Sequence, residues 1–138
     1  MKNNLRSKYG LKYYQGDFQS SLTIWYNKVI DKSVEDLDIC DVTRMIRQNI
    51  LLDVAINRAI ELFLANPFNG EMQEGDLLKL LVDHKTIVLK NNKVWQLLTI
   101  INKVENRIEE YDWINNSDKI QFKKNLVILK QTLLNYIQ

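Results

Sequence analysis

His84 and Cys40 are the only histidine and the only cysteine in the chain, so acid–base and nucleophilic chemistry each start from a single candidate. His84 follows Val82 and Asp83 at the end of a short apolar run, where an imidazole suits the negative end of a helix. A capping or surface histidine is the economical reading. Cys40 stands between Ile39 and Asp41, and a neighbouring carboxylate raises a thiol pKa and blunts its nucleophilicity. It reads as a small helix residue, buried or half-buried. One histidine and one cysteine do not make a zinc site of the usual ligand types. Paired carboxylates remain, Glu71 with Glu74 and Glu109 with Glu110. However, Asp38 and Asp41 fall at helix-capping spacing, and Glu105 and Glu109 at i,i+4 spacing, so capping and solvation account for them. No glycine-rich loop suited to a phosphate follows a strand pattern. The sequence therefore predicts no catalytic set, no metal and no cofactor.

What the acids do is concentrate. From Asp31 to Asp76 there are ten acidic residues (Asp31, Glu35, Asp36, Asp38, Asp41, Asp53, Glu61, Glu71, Glu74 and Asp76) and four basic ones (Lys32, Arg44, Arg47 and Arg58). That is a net of −6 in a chain whose formal net charge is +2, so the flanks together carry +8. Placement in first turns of helices explains about half of these acids. Glu71, Glu74 and Asp76, set around Gly70 and Gly75, belong instead to a loop. Charge displayed by a loop on a rigid scaffold is a common binding device. The opposite case rests on a pI near 8.6, on Lys2, Lys8 and Lys12 among Tyr9, Tyr13 and Tyr14, and on Lys119, Lys123, Lys124 and Lys130 near the C-terminus. These lysines are interrupted by Glu109, Glu110, Asp112 and Asp118, whereas a phosphate-binding face needs an unbroken basic stripe. A helical nucleic-acid-binding or regulatory module is the alternative that this leaves open.

The elements that must position these residues are helices. At 138 residues the chain is the size of one domain, with 46% hydrophobic and 26% charged residues. Four glycines and one proline leave little material for tight turns. A lone cysteine excludes an intrachain disulfide and fits a reducing cytoplasm. No leader segment is apparent at Met1–Gly10, and no window approaches the roughly 18 apolar residues of a membrane span. Residues 1–17 read as a polar N-terminal arm. Helical spacing then follows at Phe18, Leu22, Trp25, Tyr26, Val29 and Ile30. Ser33–Asp36 and Asp38–Asp41 have capping-box form, the second opening a helix with Val42, Met45, Ile46 and Ile50. Another helix runs from about Leu51 to Asn66-Pro67. A short helix contains Leu77, Leu78, Leu80 and Leu81, with Asp76 as its expected N-cap. Thr86–Leu89 reads as an irregular connection or a short strand. Two long helices follow, one carrying Val94 to Ile108 and one starting near Asn116 or Ser117. The expectation is an all-α, single-domain bundle of five to seven helices over residues 1–138, with Trp25 and Trp95 in the core and Trp113 partly exposed.

Three segments carry a family resemblance. Ser21-Leu-Thr-Ile-Trp-Tyr26, then Asp36-Leu37-x-Ile39-x-Asp41-Val42-x-Arg44-Met45-Ile46-Arg47-Gln48, then Asn66-Pro-Phe-x-Gly-Glu-Met72 leading into Gly75-Asp-Leu-Leu78 together resemble the helical immunity proteins of bacterial contact-dependent growth inhibition (CDI) systems. The resemblance is good from Tyr14 to Leu81 and loose beyond. It implies a small cytoplasmic antidote that binds and neutralises the C-terminal toxin domain of a CDI effector, commonly a nuclease, without itself touching nucleic acid or membrane. A nuclease site is basic because it holds phosphates, so an acidic surface is its natural complement. On that reading Glu71, Glu74, Asp76, Asp36 and Asp38 are candidate electrostatic contacts, and Phe68, Met72 and Trp113 are candidate anchors. Asp41, Arg44, Arg47 and Gln48 hold the fold, with Arg44 and Arg47 spaced to pair with Asp41 or Glu35.

Overall fold

The helix over Leu52–Ala65 is the one on which its neighbours assemble, and its sequence shows why. Ala55, Ile56, Ala59, Ile60 and Phe63 recur at i, i+3 and i+4 spacing and are all fully buried. The two alanines let neighbouring backbones approach closely. Ile56, Ile60 and Phe63 supply the bulk, each contributing about 1.5–3 kcal/mol by burial. The computed structural model describes residues 3–17, 20–70 and 75–138. Among these the α-helices are α1 (Leu5–Tyr9), α2 (Ser21–Val29), α3 (Ile39–Arg47), α4 (Leu52–Ala65), α5 (Asp76–Asp83), α6 (Lys85–Leu89), α7 (Val94–Glu105) and α8 (Asn116–Ile137), with a 3-10 turn at Val34–Asp36. α4 packs against α3, α5, α6 and α7, while α8 covers α5, α6 and α7. No strand occurs among the described residues, only a single antiparallel bridge from Asn4 to Ser33. The all-α expectation holds. The helices are slightly more numerous than five to seven because α1 and α6 are extra short pieces of five residues each.

Local chemistry sets the helix starts. Asp38 accepts the Asp41 amide at 2.9 Å while the Asp41 carboxylate accepts the Asp38 amide at 3.3 Å, a complete capping box that opens α3 as its sequence pattern predicts. Ser20 and Thr23 close an equivalent box at α2. α5 departs from expectation: its N-cap is Gly75 at φ +79°, and Asp76 is its first helical residue. α3 ends at Arg47, so Ile50 lies in a tight reversal with Asn49 at φ 55° and Leu51 at φ 45°. His84 is the C-cap of α5, its Nδ1 lying 3.0 Å from the Leu80 carbonyl.

Four other expectations are corrected. The N-terminal segment, read from its sequence as a loosely attached polar arm, is docked: Leu5 is buried, its amide donates to the Lys32 carbonyl at 2.9 Å, and the Arg6 amide donates to that of Ile30 at 2.7 Å. Apolar Leu5 outweighs its polar setting. Thr86–Leu89 lies within α6, where the amides of Ile87 and Val88 donate back to His84, so β-branching did not prevent a short helix. Trp95 is 69% exposed because α7 turns Val94, Leu97, Leu98 and Ile101 inward instead. Cys40 is exposed, since α3 buries its Asp41–Thr43 side.

Candidate partner-binding surface

The acid-rich middle divides into acids that the fold neutralises and acids that it leaves to solvent. Asp31 takes Arg6 Nε at 3.1 Å and the Tyr13 hydroxyl at 2.7 Å. Asp41, 6% exposed, takes Lys32 Nζ at 2.6 Å and the Trp25 indole N–H at 3.2 Å. Burial alone would push the Asp41 carboxyl up. The Lys32 and Trp25 hydrogen bonds, the Asp38 amide and the Lys32 charge together hold it below its ordinary value. Glu61 faces Arg58 at 3.1 Å and Lys93 at 3.7 Å. Arg44 does not pair with Asp41; its guanidinium lies over the Trp25 ring at 5.2 Å.

Glu35, Asp36, Asp38 and Asp53 are exposed, and none of them makes an ion pair with a described residue. Three of these fall within one turn, and that turn is pinned. Arg58 reaches across from α4 and donates to the Glu35 carbonyl at 2.8 Å and to the Leu37 carbonyl at 3.0 Å, while Leu37 is fully buried beneath. The Ser33 hydroxyl donates to Asp36 at 3.0 Å. The backbone at Glu35 and Leu37, on either side of Asp36, is thus held by Arg58 from outside the turn, and Asp38 follows as the N-cap of α3. Arg58 was not among the residues expected to matter. Its distance in sequence from the turn left no pattern to read.

The second acidic region is the loop after α4. Glu71, Met72 and Glu74 lie outside the described residues. The base of the loop is described, and it is closed: the Gly75 amide donates to the Phe68 carbonyl at 2.8 Å, and the Leu77 amide to the Asn69 carbonyl at 3.3 Å. Phe68 is only 3% exposed. Its ring stacks on Tyr111 at 4.2 Å and on Phe122 at 5.2 Å, and Trp113 meets it edge-on at 5.6 Å. Expected as a surface anchor, Phe68 is instead the buried foot of the loop, because the segment after α7 folds its aromatic side chains over it. Trp113 is half-buried and its indole N–H is held by the Ile108 carbonyl at 2.9 Å. Asp76 is half-buried in the first turn of α5.

The basic end of the chain is compensated. Lys119 and Lys123 both pair with Glu109, and Lys130 pairs with Glu105 at 2.7 Å. The two lysine hydrogen bonds hold the Glu109 carboxyl down at about 2. A lysine so engaged is poorly placed to bind phosphate. No group of three or more His, Cys, Asp or Glu among the described residues could hold a metal ion, and no described helix is long and apolar enough to cross a membrane.

The described residues thus form an all-helical scaffold that leaves Glu35, Asp36 and Asp38 exposed beside the backbone held by Arg58. A family model described as CDI immunity proteins matches residues 11–97, more than half of the chain, and the chain belongs to that family. No curated protein matches it, and no solved structure does.

Proposed function

We propose that this chain is an antidote that neutralises its cognate CDI toxin domain, a basic nuclease, by binding it through the acidic surface around Glu35, Asp36 and Asp38 and the loop that bears Glu71, Met72 and Glu74, with Asp76 and Trp113 at its edge. The observation that carries the reading is the placement of unpaired carboxylates. The fold neutralises Asp31, Asp41 and Glu61 internally and leaves Glu35, Asp36 and Asp38 exposed on a turn held by Arg58. A pre-fixed acidic turn loses little entropy on meeting a basic surface, and its charge speeds encounter and selects the partner. Binding needs no proton transfer, metal or cofactor, and it takes place in the cytoplasm, where the toxin would act. An antidote must bind at about nanomolar affinity or better, roughly −12 kcal/mol. Charge alone does not supply that, so apolar contacts must accompany the acids.

The test is co-expression with the toxin domain encoded immediately upstream, scored by growth and by co-purification. Rescue with a one-to-one complex is expected. The double variant Glu71→Lys, Glu74→Lys should lose protection while its thermal midpoint stays that of the wild type. Continued killing by the toxin in the presence of the wild-type chain, with no complex recovered, would end the proposal for that pair. Full protection by the double variant would remove the loop from the binding surface.

A further inference from the structure

Asn125 is the polar exception on the buried face of α8. That helix turns Phe122, Asn125, Leu126, Leu129 and Leu133 toward the core, and Asn125 is only 6% exposed. No described residue hydrogen-bonds its side-chain amide. A leucine would suit this packing better, because a buried amide without a partner costs stability. The amide borders a cavity of about 30 Å³ between α5 and α8, whose lining includes Gly75, Asp76, Lys79, Asp118 and Phe122. Asp118 is half-buried in the first turn of α8 and makes no ion pair with a described residue. Lys79 turns its Nζ to Asp83 at 3.2 Å, one turn further along α5. The cavity is thus left with two carboxylates and an orphan amide oxygen, while its own lysine is engaged elsewhere.

We propose that this cavity receives the ammonium of one lysine of the toxin, with Asn125 and Asp118 selecting for it. An ammonium has three N–H donors and no acceptor, and Asp76, Asp118 and Asn125 Oδ1 offer it three acceptors. It also fits a space with room for little more than one water-sized group. A planar guanidinium, with five donors in a rigid fork, does not. The place in the fold agrees. Gly75 and Asp76 directly follow Glu74 in the chain, and the hydrogen bond from the Gly75 amide to the Phe68 carbonyl closes the base of the acidic loop. The cavity therefore lies at the foot of the loop proposed to meet the toxin, and the inference rests on that reading. A lysine seated there supplies the partner that no described residue gives the Asn125 amide.

The complex with the toxin domain encoded immediately upstream tests it. Asn125→Leu should weaken toxin affinity by about tenfold or more, the scale of a lost hydrogen bond to a charged group, chiefly through faster dissociation. The thermal midpoint of the free variant should nevertheless equal or exceed that of the wild type, since a merely structural asparagine would lower stability and affinity together. A second measurement identifies the ligand. Carbodiimide, which couples a carboxylate to an amine in contact with it, should join Asp76 or Asp118 to a toxin lysine. The double variant Asp76→Asn, Asp118→Asn should lose that product. No complex with the wild-type chain would overturn this inference together with the reading on which it rests. A complex that Asn125→Leu leaves at wild-type affinity, or that yields no crosslink at either aspartate, would overturn the inference alone. So would a midpoint of Asn125→Leu that falls along with its affinity.

Discussion

Asp41 serves three structures at once. It completes the capping box of α3, receives the Trp25 indole and holds the Lys32 ammonium. Asn at this position keeps one acceptor oxygen, for the cap or for Trp25 but not for both, and loses the ion pair. Lys32 remains 38% exposed and can return to water, so the loss should be modest, about 1 kcal/mol, or roughly 4 °C in the thermal midpoint. The pH dependence has a definite sign. The Asp41 carboxyl titrates below its ordinary value in the folded chain. Its stabilisation is therefore present above the ordinary carboxylate range and is lost as pH falls through the lowered value. The Lys32 ammonium is raised, chiefly by the hydrogen bond to Asp41, so its share is full below the ordinary lysine value and fades only in strong alkali. Thermal melts of wild type and Asp41→Asn should differ at neutral pH and converge in strong acid. A difference that persists in strong acid would place the effect in packing rather than charge.

Between elements, the junction of Gly75 with α8 is the most demanding contact. Gly75 sits at φ +79°, and a Cβ there would stand 2.5 Å from Phe122 Cδ1. Phe122 is fixed within the stack of Phe68 and Trp113 and cannot swing aside as a long flexible side chain would. Gly75→Ala therefore meets both backbone strain and overpacking, and should cost about 2–4 kcal/mol, visible as a lower urea midpoint. A variant with the wild-type midpoint would show that the aromatic stack is softer than this geometry. Such junctions also mark how far the sequence could be read. The capping box at Asp38 and Asp41, the Asn66-Pro67 stop and the apolar period of α4 are local signals, and each gives its element. The Gly75–Phe122 contact, the burial of Phe68 under Tyr111 and the grip of Arg58 on the 35–37 backbone join residues far apart in the chain. No local pattern encodes them. The same limit misplaced Trp95, for which helical spacing allows an inward or an outward setting and only the packing of α7 decides.

For the whole molecule, Asp31, Asp41 and Glu61 are paired while Glu35, Asp36, Asp38 and Asp53 are not, so the exposed charge of the middle segment stays acidic despite a formal net charge of +2. If the proposed acidic surface meets a basic toxin, association should slow steeply as salt rises, by about tenfold or more between low and physiological ionic strength, while dissociation changes little. Stopped-flow measurements at graded salt would check this. An association rate indifferent to salt would mean that apolar contact, not the acidic turn, governs encounter.

The match to the family ends at residue 97, but the foot of the acidic loop does not. Phe68 and Gly75 rest on Tyr111, Trp113 and Phe122, and α5 packs beneath α8. The portion recognisable by descent is thus not a portion that can be lifted out. A graft of residues 11–97 onto another scaffold, or a chain trimmed to that span, would arrive with Phe68 stripped of Tyr111, Trp113 and Phe122. Exchange of specificity between members of this family should then succeed only when the C-terminal helices travel with the loop they support.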